Sequence, residues 1–262
     1  MLAEKYPVDK LRTSLVDPWH PYPTVGERNQ WDSLPDAIRS VYVKRGEDVL
    51  EFDWPSLQAT RFLDYARTGN RSRFQGDRSG RRQALGHLVL AECAEGKGRF
   101  VDQIVNGVWA TCEETYWGVP AHLSLQAAGK GLPDASEPTV DLFAAETSAL
   151  LAWTHYLVGE TFESVSPLIC PRIEQEIDRR ILTPLLDRDD FWWMGLKPRP
   201  DGRVTGSGRI TFDQGTFTAS TEEISLEGGE RLHKIWGSRV VRISLTAAGF
   251  GTEASWTVSV TR

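Results

Sequence analysis

Several things are scarce in this 262-residue chain, and each scarcity removes a class of function. There are three cysteines, Cys93, Cys112 and Cys170, odd in number, far apart and without CxxC spacing. That excludes a disulfide framework or a thiolate zinc site and reads as buried apolar thiols in a reducing compartment. No stretch approaches 18 consecutive apolar residues, so no membrane span is expected. The first twelve residues are interrupted by Glu4, Lys5, Asp9 and Lys10 and hold no apolar core for a secretory signal. The chain as written therefore reads as cytoplasmic, or as periplasmic or secreted if a leader precedes it. No long basic run exists and the net charge is −6, which argues against a nucleic-acid partner. No phosphate-binding glycine loop, HExxH or GxSxG is present, and no metal or cofactor is expected.

One absence is local. All 14 prolines precede residue 201, and the last 62 residues contain none. Those 62 residues carry seven acidic and seven basic side chains, so the whole negative balance lies before them. Two kinds of sequence meet near residue 200.

What the chain does have is tryptophan, ten residues of it, together with a strong helical period. Residues 1–34, with Pro18, Trp19, His20, Pro21, Tyr22 and Pro23, read as an extended arm. Helices are predicted over Ser33–Arg45 and over Trp54–Arg67, the latter capped by Asp53 and stopped at Thr68-Gly69-Asn70. Further helices follow over Arg81–Glu95, ending at Gly96, and over Arg99–Trp117. After a loop from Gly118 to Pro138, Thr139 is expected to cap a helix reaching Val158 with Leu142, Leu150, Trp153 and Leu157 buried. A last helix, Arg172–Leu182, is expected to stop at Pro184. Beyond residue 201 the period changes, and Val240–Leu245 and Trp256–Val260 read as strands.

Candidate chemistry concentrates where the Arg99–Trp117 helix ends. Cys112-Glu113-Glu114-Thr115-Tyr116-Trp117-Gly118-Val119-Pro120-Ala121-His122 hands two carboxylates, two aromatics and a histidine to a loop. Glu113, four residues past Trp109, is expected on an apolar edge with a raised pKa. The bland alternative is that it pairs with an arginine while His122 caps backbone. Glu146 falls between Leu142 and Leu150 on the expected buried stripe and there needs a partner, an ion pair being the simplest. His155 and His87 read as core histidines, and His20 as structural. Arg67, Arg71 and Arg73, followed by Arg78, Arg81 and Arg82, can hold carboxylate or sulfate groups, or form a solvated face.

These segments resemble the N-terminal part of the heparinase II/III-like polysaccharide lyases. The resemblance rests on Trp54–Thr60, Arg67–Ser72, Leu90–Phe100, Cys112-Glu113-Glu114 with Trp117 and Pro120-Ala121-His122, Asp141–Thr147, and Phe191-Trp192-Trp193-Met194-Gly195. It covers roughly residues 30–200 and lies in their order and spacing. It implies a mainly α fold, an incomplete (α/α) toroid of helical hairpins over 35–200. It also implies β-elimination of uronic-acid polysaccharides, with an acidic polysaccharide or oligosaccharide as partner. Glu113, Glu114, Trp117, His122, Glu146 and Arg71 are the expected substrate-binding residues.

The family's Asn-Asn-Trp or Asn-Asn-His segment and its Asp-Gly-Gly segment supply the Asn, His and Tyr chemistry, and neither stands after Gly202. No residue here is therefore assigned as catalytic acid or base. The expected protein is a lyase fragment without turnover, the alternative a non-catalytic helical carbohydrate-binding or interaction protein. Residues 201–262 read as an irregular or short-β tail: the product of a reading-frame shift, a small β module, or an ordinary divergent C-terminus. Codons exist for Arg242–Ala254 that spell an Asp-Gly-Gly segment two bases out of frame.

Overall fold

The computed structural model describes residues 7, 9–10, 13–15, 18–194, 209–212, 216–227, 239–247 and 258–261. The chain divides into two compact units, Met1–Lys197 and Pro198–Arg262. The described part of the first is helical and that of the second antiparallel β.

In the helical unit, α1 (Arg28–Asp32) and α2 (Asp36–Glu47) lead to α3 (Ala59–Thr68), α4 (Ser72–Glu95) and α5 (Val101–Cys112). A 3₁₀ segment (Pro120–Leu125) precedes α6 (Leu142–Phe162), α7 (Ile169–Ile177) and α8 (Thr183–Asp187), with a π turn over Asp178–Leu182. In the larger of two core clusters Leu85, Leu88 and Ala91 of α4 meet Ile104 and Val108 of α5, Leu151 and Val158 of α6, and Ile169 and Ile173 of α7; Phe62, Phe74, Tyr116 and Leu123 form the smaller one. Full burial of each large apolar side chain contributes about 1.5–3 kcal/mol.

The helix stops at Gly69 and Gly96 form as the sequence predicts. Both residues take left-handed backbone (φ 76° and 67°) and cap α3 and α4. The turn after α4 is further fixed by Glu92, whose buried carboxylate accepts from Gly98 N at 2.7 Å and Phe100 N at 3.2 Å.

Several boundaries differ, among them the end of α5, which stops at Cys112 with Glu113 as its cap and not at Trp117. The α3 helix starts at Ala59 because Trp54, predicted inside it, adopts φ 49°, and a residue before proline avoids helical backbone. The α4 helix begins at Ser72, nine residues earlier than predicted: Gly76 and Gly80 weaken its propensity, but Phe74 and Arg78 are buried and hold those turns in place. Pro184 does not end the last helix. The π turn just before it shifts the hydrogen bonds to longer spacing, and helix resumes through α8.

The α6 stripe is also rotated. Its buried residues are Ala144, Thr147, Ser148, Leu151, Thr154, Leu157, Val158, Gly159 and Phe162; of the expected stripe Leu157 is buried, Leu150 and Trp153 are partly buried against the core, and Leu142 is 66% exposed. Its cap is Asp141, whose side chain accepts from Ala144 N at 2.7 Å, rather than Thr139.

The expected arm is not extended throughout, since Arg28–Asp32 within it is the helix α1, and residues before that helix lie on α6. Trp19 and Tyr22 pack on Trp153 at centroid distances of 5.7 Å each, and Val25 N donates to Leu157 O at 2.8 Å. Cys93 and Cys112 are buried, and burial pushes their thiols up to about 12 and about 11. Cys170 is only half-buried, against expectation, because it sits at the edge of α7. No described helix is long and apolar enough to cross a membrane.

In the second unit, β1 (Arg209–Thr211) pairs with β4 (Ser259–Thr261), and β2 (Phe217–Ser225) pairs with β3 (Arg239–Ala247). Glu222 faces Arg242 and forms an ion pair with it at 3.0 Å. The β3 strand contains the predicted Val240–Leu245. The β2 strand was not expected, since FTASTEEIS carries only two large apolar residues. Trp256 and Thr257, and residues 248–254 that the reading-frame alternative draws on, lie outside the described residues.

Candidate functional site

A cavity of about 500 Å³ opens between the segment before α3, the α3 and α4 helices, and the end of α5. Trp54 and Leu57 form one side, Phe62 and Phe74 the floor, and Arg81 with Glu113, Glu114 and Tyr116 the polar side. Leu132 and Pro133 reach it from the long loop.

Each wall follows from local sequence. Trp54 donates from Nε1 to Gln103 Oε1 at 2.8 Å, and its ring fills the notch left by the missing side chain of Gly107, where a Cβ would overlap Cη2. Phe62 meets Phe74 edge-on at 4.8 Å and Tyr116 at 6.1 Å. Tyr116 is held by its hydroxyl, 3.0 Å from Thr139 Oγ1, and burial pushes that phenol up to about 12. Gly118 is required beside it, since a Cβ there would stand 2.6 Å from the phenol ring.

Beneath the polar side lies an arginine cluster along one face of α4. Arg78, Arg81 and Arg82 are 2%, 5% and 8% exposed. Arg78 donates to Trp117 O at 3.1 Å, to Phe143 O at 2.6 Å and to Thr147 Oγ1 at 2.8 Å. Arg82 binds Glu114 through both terminal nitrogens and also reaches Thr147 Oγ1. Arg81 Nη1 stands 3.3 Å from the same carboxylate, and its Nε has no partner among the described residues. Burial lowers the pKa of Arg78, to about 10, and of Arg81, as expected for guanidinium groups that are short of counter-charge. From the π turn, Arg180 donates to Glu114 O at 2.6 Å and Thr115 O at 3.2 Å and closes the end of α5.

The six residues expected to bind substrate do not converge on one concavity. Glu113 and Glu114 line the cavity, but their roles exchange. Glu113 is exposed at the rim, not partly buried, while Glu114 is 6% exposed and ion-paired. Trp117 is corrected from cleft residue to core: it is 2% exposed, donates from Nε1 to Thr111 O at 2.9 Å and lies under Arg180. Glu146 is not buried. Its side chain is 65% exposed on the outer face of α6, 3.8 Å from Arg78.

His122 stands apart from the cavity, its Nδ1 2.6 Å from Asp141 Oδ2. Arg71 is an exposed residue at the start of α4. His20 bonds Glu27 and Tyr156, and His155 pairs with Glu174 at 3.2 Å rather than entering the core. His87 is half-buried, its pKa lowered by burial.

The buried arginines stand about two to three turns beyond Arg71, the arginine expected to bind substrate, at Arg78, Arg81 and Arg82. Their signal was the period. Phe74, Arg78, Arg81, Arg82, Leu85, Leu88, Val89 and Glu92 form one continuous stripe at three- and four-residue spacing, and every one of them is buried. Trp54, Phe62, Phe74 and Tyr116 carried no such signal for a shared cavity. Among the described residues no group of three or more His, Cys, Asp or Glu side chains is placed to hold a metal ion. No protein-family model matches the chain, and no curated protein matches it.

Proposed function

We propose that the helical unit is the saccharide-binding body of a polysaccharide lyase of heparinase II/III type, an incomplete (α/α) toroid that takes uronate-bearing polysaccharide in the Trp54–Arg81 cavity. The observation that carries this reading is the cavity's make-up: rings on one side and floor, a guanidinium and carboxylates on the other. Flat apolar faces with a few convergent polar groups suit a pyranoside ring with an acidic substituent. The short turn between α4 and α5, which pack on each other, makes a helical hairpin of the kind such bodies are built from. The resemblance in Trp54–Thr60 and Cys112-Glu113-Glu114 falls on the cavity wall.

Recognition and proton transfer separate in this site. Tyr116 is the phenol nearest the ligand space, and a phenol pushed up to about 12 and bonded to Thr139 does not take a proton at neutral pH. Tyr116 is thereby excluded as the abstracting base, and the second reading is carbohydrate binding without turnover by this unit.

Calorimetric titration of the full chain with oligosaccharides from alginate, heparin-type and pectic polymers tests the first claim, with saturable binding expected. Absorbance of unsaturated uronate tests the second, with no rise expected. Absence of binding to every acidic polymer removes the saccharide reading, and clear turnover removes the separation of binding from chemistry.

A further inference from the structure

We propose that Arg81 is an oxyanion receptor: the cavity's ligand presents one carboxylate or sulfate group to this guanidinium, which shares Glu114 with Arg82 and lacks a full counter-charge of its own. The inference deepens the saccharide reading and rests on it.

The argument is an accounting of partners. Three guanidinium groups are buried on one face of α4; the buried carboxylate of Glu114 contacts Arg81 and Arg82, while Arg78 feels Glu114, Glu146 and the buried Asp141 at longer range. Arg82 occupies both oxygens of Glu114. Arg78 is furnished with two backbone carbonyls and a hydroxyl. Arg81 has a single 3.3 Å contact to a carboxylate already engaged, and an Nε with no partner among the described residues. A buried cationic group left in this condition is costly, and bidentate oxyanions match its planar fork. Of the three arginines, Arg81 alone lines the cavity.

The carboxylates nearby do not remove the need. Glu146 is two-thirds exposed and faces Arg78, and Glu113 is exposed at the rim. A cation is the less fitting guest, because Glu114 has no free oxygen to offer one. Glu113 then acts on selectivity: its charge repels an incoming oxyanion and weakens binding below what Arg81 alone would give.

The test compares three ligands on the full chain: a uronate oligosaccharide, a neutral oligosaccharide of the same length, and that neutral oligosaccharide bearing sulfate. Binding of at least one anionic form about tenfold tighter than the neutral one is expected, and the two anionic arms separate carboxylate from sulfate. Glu113→Gln removes one negative charge beside Arg81 and is expected to raise the ratio of anionic to neutral affinity about two- to fivefold, whatever it does to saccharide binding as a whole. Arg81→Lys is expected to lose most of the anion preference, with circular dichroism checking that it folds.

Equal binding of neutral and anionic saccharides, or an unchanged anion preference in folded Arg81→Lys, overturns the inference and leaves the saccharide reading standing. An unaltered or lowered ratio of anionic to neutral affinity in Glu113→Gln also overturns it. Failure of all three ligands to bind removes both.

Discussion

Arg82 grips Glu114 with both terminal nitrogens, one on each carboxylate oxygen, in a place where both side chains are under 9% exposed. Removing the carboxylate leaves the buried guanidinium groups of Arg81 and Arg82 without the counter-charge they contact. Breaking a buried pair from one side costs about 3–5 kcal/mol, far more than forming it contributes. Glu114→Ala is therefore expected to lose about that much in urea denaturation followed by helical circular dichroism. Glu113→Gln, one residue away but exposed, should stay within about 0.5 kcal/mol of the parent. Equal stability of the two variants would refute the buried cluster.

Two glycines on neighbouring helices should respond to alanine in opposite directions. In α4, nothing lies within 4 Å of where a Cβ on Gly76 would stand, so Gly76→Ala gains about 0.5–1 kcal/mol from helix propensity alone. In α5, a Cβ on Gly107 overlaps the Trp54 ring. The same propensity gain is there outweighed by overpacking of about 1–3 kcal/mol, and relief requires Trp54 to leave the cavity wall. Gly107→Ala should be the less stable of the two variants and should shift the tryptophan emission, whereas Gly76→Ala should leave emission unchanged.

How far the sequence led can be judged on single residues. Helix ends written in backbone terms were legible, since glycine at 69 and 96 costs nothing in left-handed backbone whatever surrounds it. What depends on rotation about a helix axis was not. Leu142, Glu146 and Leu150 form a valid helical stripe, but the neighbouring stripe through Thr147, Leu151, Thr154 and Val158 is the one that packs, because small and polar residues there fit against the arginine cluster and the core. Buried arginines were illegible for a related reason: their type argues for solvent, and only their phase with Leu85 and Leu88 shows that they face inward. The cavity draws on five separate stretches, and no local pattern encodes that.

Asp141 performs two tasks that substitution can separate. One oxygen accepts from Ala144 N at 2.7 Å and caps α6; the other lies 2.6 Å from His122 Nδ1. Serine keeps a cap and loses the histidine contact, while alanine loses both. Asp141→Ala should be less stable than Asp141→Ser by about 1 kcal/mol, the ordinary worth of a helix cap. If the two variants unfold at the same denaturant concentration, the cap does not contribute.

Acid sensitivity should trace to Glu176. This carboxylate is 2% exposed and surrounded by Arg180 Nε at 2.5 Å, Arg179 Nη2 at 2.6 Å and Arg172 Nη2 at 3.3 Å. Burial alone raises its pKa, but the hydrogen bonds and charges of Arg180 and Arg179 outweigh that and hold it below the ordinary 4.5. A carboxyl whose pKa is lower folded than unfolded stabilises the fold above its unfolded value and loses that contribution as the pH falls through its folded value. The parent should therefore lose stability on going from about pH 5 to about pH 3, more steeply than Glu176→Gln. The variant should be the less stable protein at neutral pH, with the gap narrowing as acid is added. Thermal melts across that range measure both slopes. A gap that stays constant with pH would mean that Glu176 holds the Arg180 turn by packing and not by its charge.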